Sequence, residues 1–340
     1  NLMWKRKQHY LPFPIWAICL YKDYVIISGG GGGKQFGICN MLVLYKLAKK
    51  LTNKVTEEDT GSDLVTSIQW LQSADLVVAS IQKDILVLRV SSQQFEKLLR
   101  VNCEVSRSLG QVKATQDAKK LVSGGEEGIV KVWSLKSSPV ELQKLSQFDC
   151  GSGVNGLDIC SKYIALSCKD KTCKILTQQG TLLFSLGFST SKVQNMLFKG
   201  CGFSGKEDEL YTLQTVPRGS SYITKWSIKK NFQPIDSVEV HHSTCCTLKI
   251  SNSGSYCAVG TSEGHVKVLR TKDLSTLYSK LLFEMPVTTF DFNSKETRFL
   301  TGSADYAYSY ETISRNILTK TISVVVIATL AYLIQLFLIK

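Results

Sequence analysis

Proline is scarce in this chain, with 6 in 340 residues, and histidine is scarcer, with 4. So few prolines exclude a collagen-like or Pro-rich character. The 11 cysteines form no C-x-x-C pair, so zinc ribbons and fingers find no support. Acidic residues are also short, 28 Asp and Glu against 41 Lys and Arg, for a formal net charge of +13. That balance favours acidic partners such as anionic lipid, nucleic acid or an acidic protein face, and selects none of them. No G-x-S-x-G, H-E-x-x-H or Cys/His constellation with supporting context occurs, so a hydrolytic enzyme has no motif behind it. Hydrophobic residues are 44% and charged residues 20%, which excludes wholesale disorder.

The cysteines sit in apolar runs, such as Cys168 in ALSC and Cys257 in SYCAVG. They read as buried, reduced core thiols, which implies a reducing compartment and a cytosolic face for the main domain. Ile322 to Ile339 is an 18-residue stretch with no formal charge. At about 1.5 Å per residue it matches a bilayer core, so a single transmembrane helix is predicted over 322–339. A juxtamembrane linker would occupy 316–321. Arg315 and Lys320 precede the stretch and only Lys340 follows it, which puts the large domain in the cytosol. The first twenty residues lack the continuous apolar run of a signal peptide.

Residues 1–315 carry a repeat. An apolar strand, a small or Gly-rich turn and a second strand recur as YVIISGG…MLVLYKL, DLVVASIQKDILVLRV, KLVSGGEEGIVKVWSL and four further copies. The strands close on Leu44, Leu88, Trp133, Leu176, Trp226, Leu269 and Tyr310, spaced by 44, 45, 43, 50, 43 and 41 residues. That is the period of a WD-type propeller blade, about 40–45 residues. Seven copies predict an all-β, seven-bladed β-propeller. The last copy leaves little chain for a fourth strand. A strand around Met3–Tyr10 is therefore expected to complete blade seven and remove its open edge.

Blade one departs from the pattern. Ser28 is followed by Gly29, Gly30, Gly31, Gly32 and Gly33, then Lys34-Gln35-Phe36-Gly37-Ile38-Cys39-Asn40. A phosphate-binding P-loop fails on composition: Ser28 stands where the first Gly should be, and Gln35 where a Ser or Thr should follow Lys34. The next element reads as a strand, whereas a P-loop leads into a helix. Two readings remain, a loose surface hairpin loop and an ordered loop organised by an ion. In the second, carbonyl oxygens and the Asn40 amide oxygen are hard ligands for an alkali cation. Ile38 then becomes an apolar anchor on a rigid base.

The run SGGGGGKQFGICN, early in the first blade of a seven-bladed propeller, resembles the potassium-binding loop of the endoplasmic-reticulum guanine nucleotide exchange factors that activate the Sar-type small GTPase of COPII coats. The shared pattern is a Gly run, a few variable residues, then Gly-Ile-x-Asn before an apolar strand. Here Gly29–Gly33, Gly37, Ile38, Cys39 and Asn40 supply it. The single C-terminal span fits the same architecture. The resemblance implies a potassium ion on Gly30, Gly31, Gly32 and Asn40, and Ile38 and Asn40 acting on the GTPase. Gly29, Gly33, Gly37 and Cys39 complete the partner-binding loop. It also implies residence in the endoplasmic reticulum membrane, with no nucleic acid and no small-molecule substrate. Such a factor makes no covalent bond. It prefers the nucleotide-free GTPase, and linkage then weakens nucleotide binding by the same factor. A membrane-tethered propeller scaffold without exchange activity is the alternative.

Other candidates are weak. His241 and His242 are neighbours, and on a strand their side chains would point to opposite faces, so they cannot chelate together. His265 reads as structural. Asp117, Asp158 and Asp291 lie near blade turns, where structural aspartates are common in these repeats. Lys49-Lys50, Lys119-Lys120 and Lys229-Lys230 read as solvated pairs.

Overall fold

A run such as Tyr24–Gly29 (YVIISG) has no polar face to give to water, so as a strand it must be covered on both sides. Six more runs have the same character, among them Leu76–Ile81, Lys120–Gly125 and Tyr163–Cys168. The computed structural model, which describes residues 9–313 except 34, 36, 49, 92–93 and 188–195, shows how they are covered. Each is the second strand of a four-stranded antiparallel sheet, and seven such sheets form a β-propeller. Neighbouring blades pack face to face over these strands, and seven apolar clusters fill the spaces between them. The fourth strands, such as Lys54–Gly61 and Phe95–Asn102, alternate half-buried and exposed residues at the rim.

The repeat is visible at the level of register. In all seven blades the pairing of first and second strands slips by one residue near the start of the first strand, as at Ile15/Ala17 and Val65/Ser67. In blades one to six a second slip falls between the third and fourth strands, next to the closing residue named above, as at Leu44/Tyr45 and Val132/Trp133. Such bulges raise the local twist that a radial sheet needs. The closing residues Leu44, Leu88, Trp133, Leu176, Trp226 and Leu269 are all buried. Trp133 Nε1 donates to Ser123 Oγ at 2.9 Å, and Trp226 Nε1 donates to Thr212 Oγ1 at 2.7 Å. The two tryptophans therefore satisfy their polar edge in the same way, on the second strand of their own blade.

Polar side chains stitch the ring at its centre. The first strand of each blade lines the central channel, and bonds cross between successive first strands. Ala114 N donates to Gln69 Oε1 at 3.0 Å, Leu157 N to Gln111 Oε1 at 3.2 Å, and Phe203 N to Asp158 Oδ2 at 2.8 Å. Across the closure, Leu20 N donates to Asp291 Oδ2 at 2.8 Å and Thr288 Oγ1 to Ile15 O at 2.6 Å. These bonds satisfy backbone groups that no strand of the same blade can reach. Asp158 and Asp291 thus serve the joints between blades, while Asp117 holds a turn, accepting from Thr115 Oγ1 at 2.6 Å.

Ring closure follows the expectation at the two described residues of the N-terminal strand. His9 pairs with Tyr308 and Tyr10 with Ala307, so blade seven takes its fourth strand from the other end of the chain. Leu11 and Phe13 follow into the core against Ile15, Leu300 and Tyr308. The expected linker 316–321 and transmembrane helix 322–339 lie outside the described residues. Among the described residues no helix is long and apolar enough to cross a membrane.

All 11 cysteines are free, and eight of them are buried. Burial raises the pKa of Cys19, Cys245 and Cys257. Cys246 is exposed, and Cys39 and Cys201 are half-buried. We therefore expect a thiol reagent on the native protein to modify at most these three, with the rest reacting only in denaturant. Prompt native modification of Cys19 or Cys257, mapped by mass spectrometry, would contradict the packing described above.

Candidate functional site

The glycine loop joins the second and third strands of blade one, Tyr24–Gly29 and Asn40–Lys46. Its described residues are ordered by specific bonds. Gly30 N donates to Pro14 O at 3.0 Å, and Trp16 Nε1 donates to Gly30 O at 2.7 Å. Gly33 N donates to Ile38 O at 3.2 Å, an isolated antiparallel bridge that narrows the loop at its middle. Asn40 closes the base. Its Oδ1 accepts from Gly32 N at 3.2 Å, and its Nδ2 donates to Gly61 O at 3.1 Å. The second bond ties the loop to the end of the outer strand of the same blade.

The glycines are required at two places in particular. Gly30 has φ near 146° and Gly32 near 100°, conformations that L side chains rarely adopt. A Cβ on Gly30 would also collide with Asn40 Oδ1 and with the Asn40 backbone. At Gly29 the conformation is ordinary, and the constraint is space: a Cβ there would strike the Phe13 ring and Pro14 O.

The predicted site residues separate into two groups. Gly29, Gly30, Gly33 and Asn40 are buried and build the loop. Gly31, Gly32 and Gly37 are exposed, and Ile38 and Cys39 are half-buried. Ile38 leans over Gly31 and packs at the margin of the cluster that holds Leu11, Phe13 and Ile15. Asn40, expected to touch a partner, faces inward with both ends of its amide engaged. Of the predicted residues, those open to solvent are thus Gly31, Gly32, Gly37 and, in part, Ile38 and Cys39, and Gln35 of the same loop is exposed with them. Beside it, Gly32, Gly33, Gln35, Asp59, Gly61 and Ser62 border an open groove. Sequence reasoning missed Trp16, Pro14 and Gly61 as loop supports. Nothing in their local sequence marks them, because they reach the loop only through pairing across the sheet.

The remaining candidates gather no chemistry. His241 and His265 have ring centroids 4.7 Å apart, and His242 Nδ1 meets Glu239 Oε1 at 2.8 Å. Burial, with the charges of His265 and Lys267, lowers the His241 pKa. Among the described residues no group of three or more His, Cys, Asp or Glu could hold a metal ion.

No family model matches the chain. The chain is similar to two curated proteins, the U3 small nucleolar RNA-associated protein 15 homologs of Xenopus laevis and Xenopus tropicalis. Each is 25% identical over 183 residues, covering 51% of this chain and 32% of the relative. The match thus spans about a third of the relatives' length. These findings correct the resemblance drawn from the glycine run. The relatives are named for a small nucleolar RNA, and neither is an endoplasmic-reticulum exchange factor. The Sar-type GTPase partner, the exclusion of nucleic acid and the endoplasmic reticulum membrane location fall with it, and exchange activity is left unsupported. The physical reason lies in the motif: the bonds of Asn40 and Trp16 account for the glycine run as a local solution to one tight loop. The WD-type β-propeller itself stands.

Proposed function

We propose that this chain is a non-enzymatic docking scaffold that presents the glycine loop of blade one to a macromolecular partner within a ribonucleoprotein assembly. The observation that carries the docking part is Ile38, a half-exposed apolar side chain on a loop whose base is fixed by the buried Asn40. Such a loop has little ordering entropy left to lose when a partner covers it. The names of the similar proteins suggest the ribonucleoprotein setting, and the net charge of +13 suits partners that carry phosphate.

The proposal includes a potassium ion at the loop. Carbonyl oxygens of Gly30, Gly31 and Gly32 with Asn40 Oδ1 would hold it, a neutral oxygen set of the kind alkali ions take. Gly30 O and Asn40 Oδ1 each accept one hydrogen bond and keep a second lone pair. When bound, the ion would offset the mutual repulsion of the oxygens that hold it.

The test is affinity purification of the full chain from its native cells, with bound proteins and RNA identified. Ile38→Asp is expected to cut recovery of the partner about tenfold, while its melting temperature stays within about 2 °C of wild type. Equal recovery would remove the loop as the dock. Absence of any enriched RNA, with a protein partner still bound, would remove the ribonucleoprotein setting alone. Repeating the purification in NaCl in place of KCl tests the ion, and equal recovery in both salts would remove it.

A further inference from the structure

The fourth strand of each blade ends its sheet, and an open sheet edge invites another strand to pair with it. Charge is the usual guard. The fourth strands of blades one, two, three, five and six carry it, for example at Lys54, Glu96, Lys144, Asp236 and Lys280. The fourth strand of blade four, Leu182–Leu186 (LLFSL), has no charge and no proline. Its inner edge pairs with Cys173–Thr177, and no described strand pairs with its outer edge. Leu182 is 53% exposed and Leu183 40%.

The exposure follows from the register. Ile175 pairs with Phe184 and Leu176 with Leu182, so Leu183 is the extra residue of the bulge. In blades one, two and six the corresponding residues, Val55, Leu98 and Leu277, tuck half-buried against a core cluster. In blades three and five they are Leu145 and Ile235, both exposed, and each has a charged neighbour on its own strand, Lys144 and Asp236. Leu183 instead stands between Leu182 and Phe184. The inward side chains of its strand are fixed in the joint with blade five: Leu186 is buried there, and the Phe184 and Phe232 rings lie 5.3 Å apart. The edge is therefore a preformed template, with little order left to acquire on pairing.

The charge nearby selects the partner. Cys173 pairs with Ser167 on one side and with Leu186 on the other, so the hairpin 169–172 stands at the Leu186 end of the edge. It exposes Lys169 and Lys171, and its one acid, Asp170, is paired with Lys174 at 2.7 Å. We propose that the outer edge of Leu182–Leu186 docks an extended segment of a partner protein, which adds to blade four as a fifth strand. The segment carries apolar residues opposite Leu182 and Leu183, and acidic residues at the end that meets Lys169 and Lys171. Backbone pairing supplies the affinity in such an addition, and the side chains supply the choice of partner. This edge belongs to a different blade from the glycine loop, and it does not depend on the docking role proposed for that loop.

The experiment is fluorescence anisotropy of the full chain with a labelled synthetic peptide, Val-Thr-Val-Ile-Val with Asp-Glu-Asp joined at one end or the other. Saturable binding of one peptide per chain is expected for at least one of the two orders. Proline in place of the central valine should abolish it, because proline cannot pair along a strand. Leu183→Lys places a guarding charge on the edge and is expected to weaken binding about tenfold. Its melting temperature should stay within about 2 °C of wild type, because the side chain is exposed. Ile235→Lys, on blade five, should leave binding unchanged, and serines in place of the acids of the peptide should weaken it severalfold. Hydrogen exchange of residues 182–186 should slow in the complex. If Leu183→Lys does not fold, the proline peptide and hydrogen exchange carry the test. No saturable binding by either peptide would overturn the proposal. Binding by the proline peptide, or equal weakening by Ile235→Lys, would overturn it in favour of a diffuse apolar rim. A concentration-dependent dimer by light scattering, lost in Leu183→Lys, would overturn it by giving the edge to a second copy of this chain.

Discussion

Removing residues 1–13 is expected to lower the stability of the propeller by about 5 kcal/mol and its melting temperature by about 10 °C. The deleted stretch includes His9–Tyr10, which forms the fourth strand of blade seven, and the buried Leu11 and Phe13. Burying a Leu or Phe contributes about 1.5–3 kcal/mol, so these two account for most of the loss. The remainder comes from the strand bonds and from Leu11 N, which donates to Tyr306 O at 2.9 Å. Against a typical net stability of about 5–15 kcal/mol, that is enough to open the ring at its seam in a fraction of molecules. Two point variants divide the effect. Phe13→Ala should cost about 3–5 kcal/mol. Tyr10→Ala, whose side chain is 61% exposed, should cost under about 1 kcal/mol. Urea unfolding followed by tryptophan fluorescence reads all three. A truncated protein that unfolds at the midpoint of the full chain would show that the seam is closed by something other than this segment.

Why the closure could be read in advance, while the loop and the channel could not, comes down to what a sequence period encodes. Leu44, Leu88, Trp133, Leu176, Trp226 and Leu269 recur because blades one to six have the same bulge at the same place, and that repeats in the chain at about 45 residues. A strand missing from the last repeat then points to the other end of the chain. The glycine run was legible as an exception, but the inward direction of Asn40 was not. It depends on a register slip at Asn40/Met41 and on Gly61, which lies 21 residues away. Lys249 lies in a strand whose sequence pattern does not mark it as a channel residue. Only when seven first strands close into a ring does one face of that strand become a channel wall. The resemblance to an exchange-factor loop misled for a related reason: a short glycine pattern records the strain of one turn, and a turn carries little information about the partner a scaffold holds.

The largest single-residue effect in the channel is expected at Asp291. Asp291→Ala should destabilise the protein by about 3–5 kcal/mol, because it strands the partly buried Lys249 ammonium and leaves Leu20 N without its acceptor across the blade-seven to blade-one joint. Asp291→Asn should cost about half as much, since an amide oxygen can still take the Leu20 N–H. Replacing both partners, Asp291→Asn with Lys249→Met, should recover much of the loss, as expected when a buried pair is removed together. The pH dependence is one-sided. Burial opposes the Lys249 charge, but Asp291 beside it outweighs that, and the net shift is upward. The stabilisation from Lys249 is therefore complete below the ordinary lysine value near 10.4 and is lost as pH rises through its higher folded value. Lys249 accordingly gives no slope between about pH 6 and 9. A loss under about 1 kcal/mol in Asp291→Ala would mean that water in the channel solvates Lys249 well enough to replace the carboxylate.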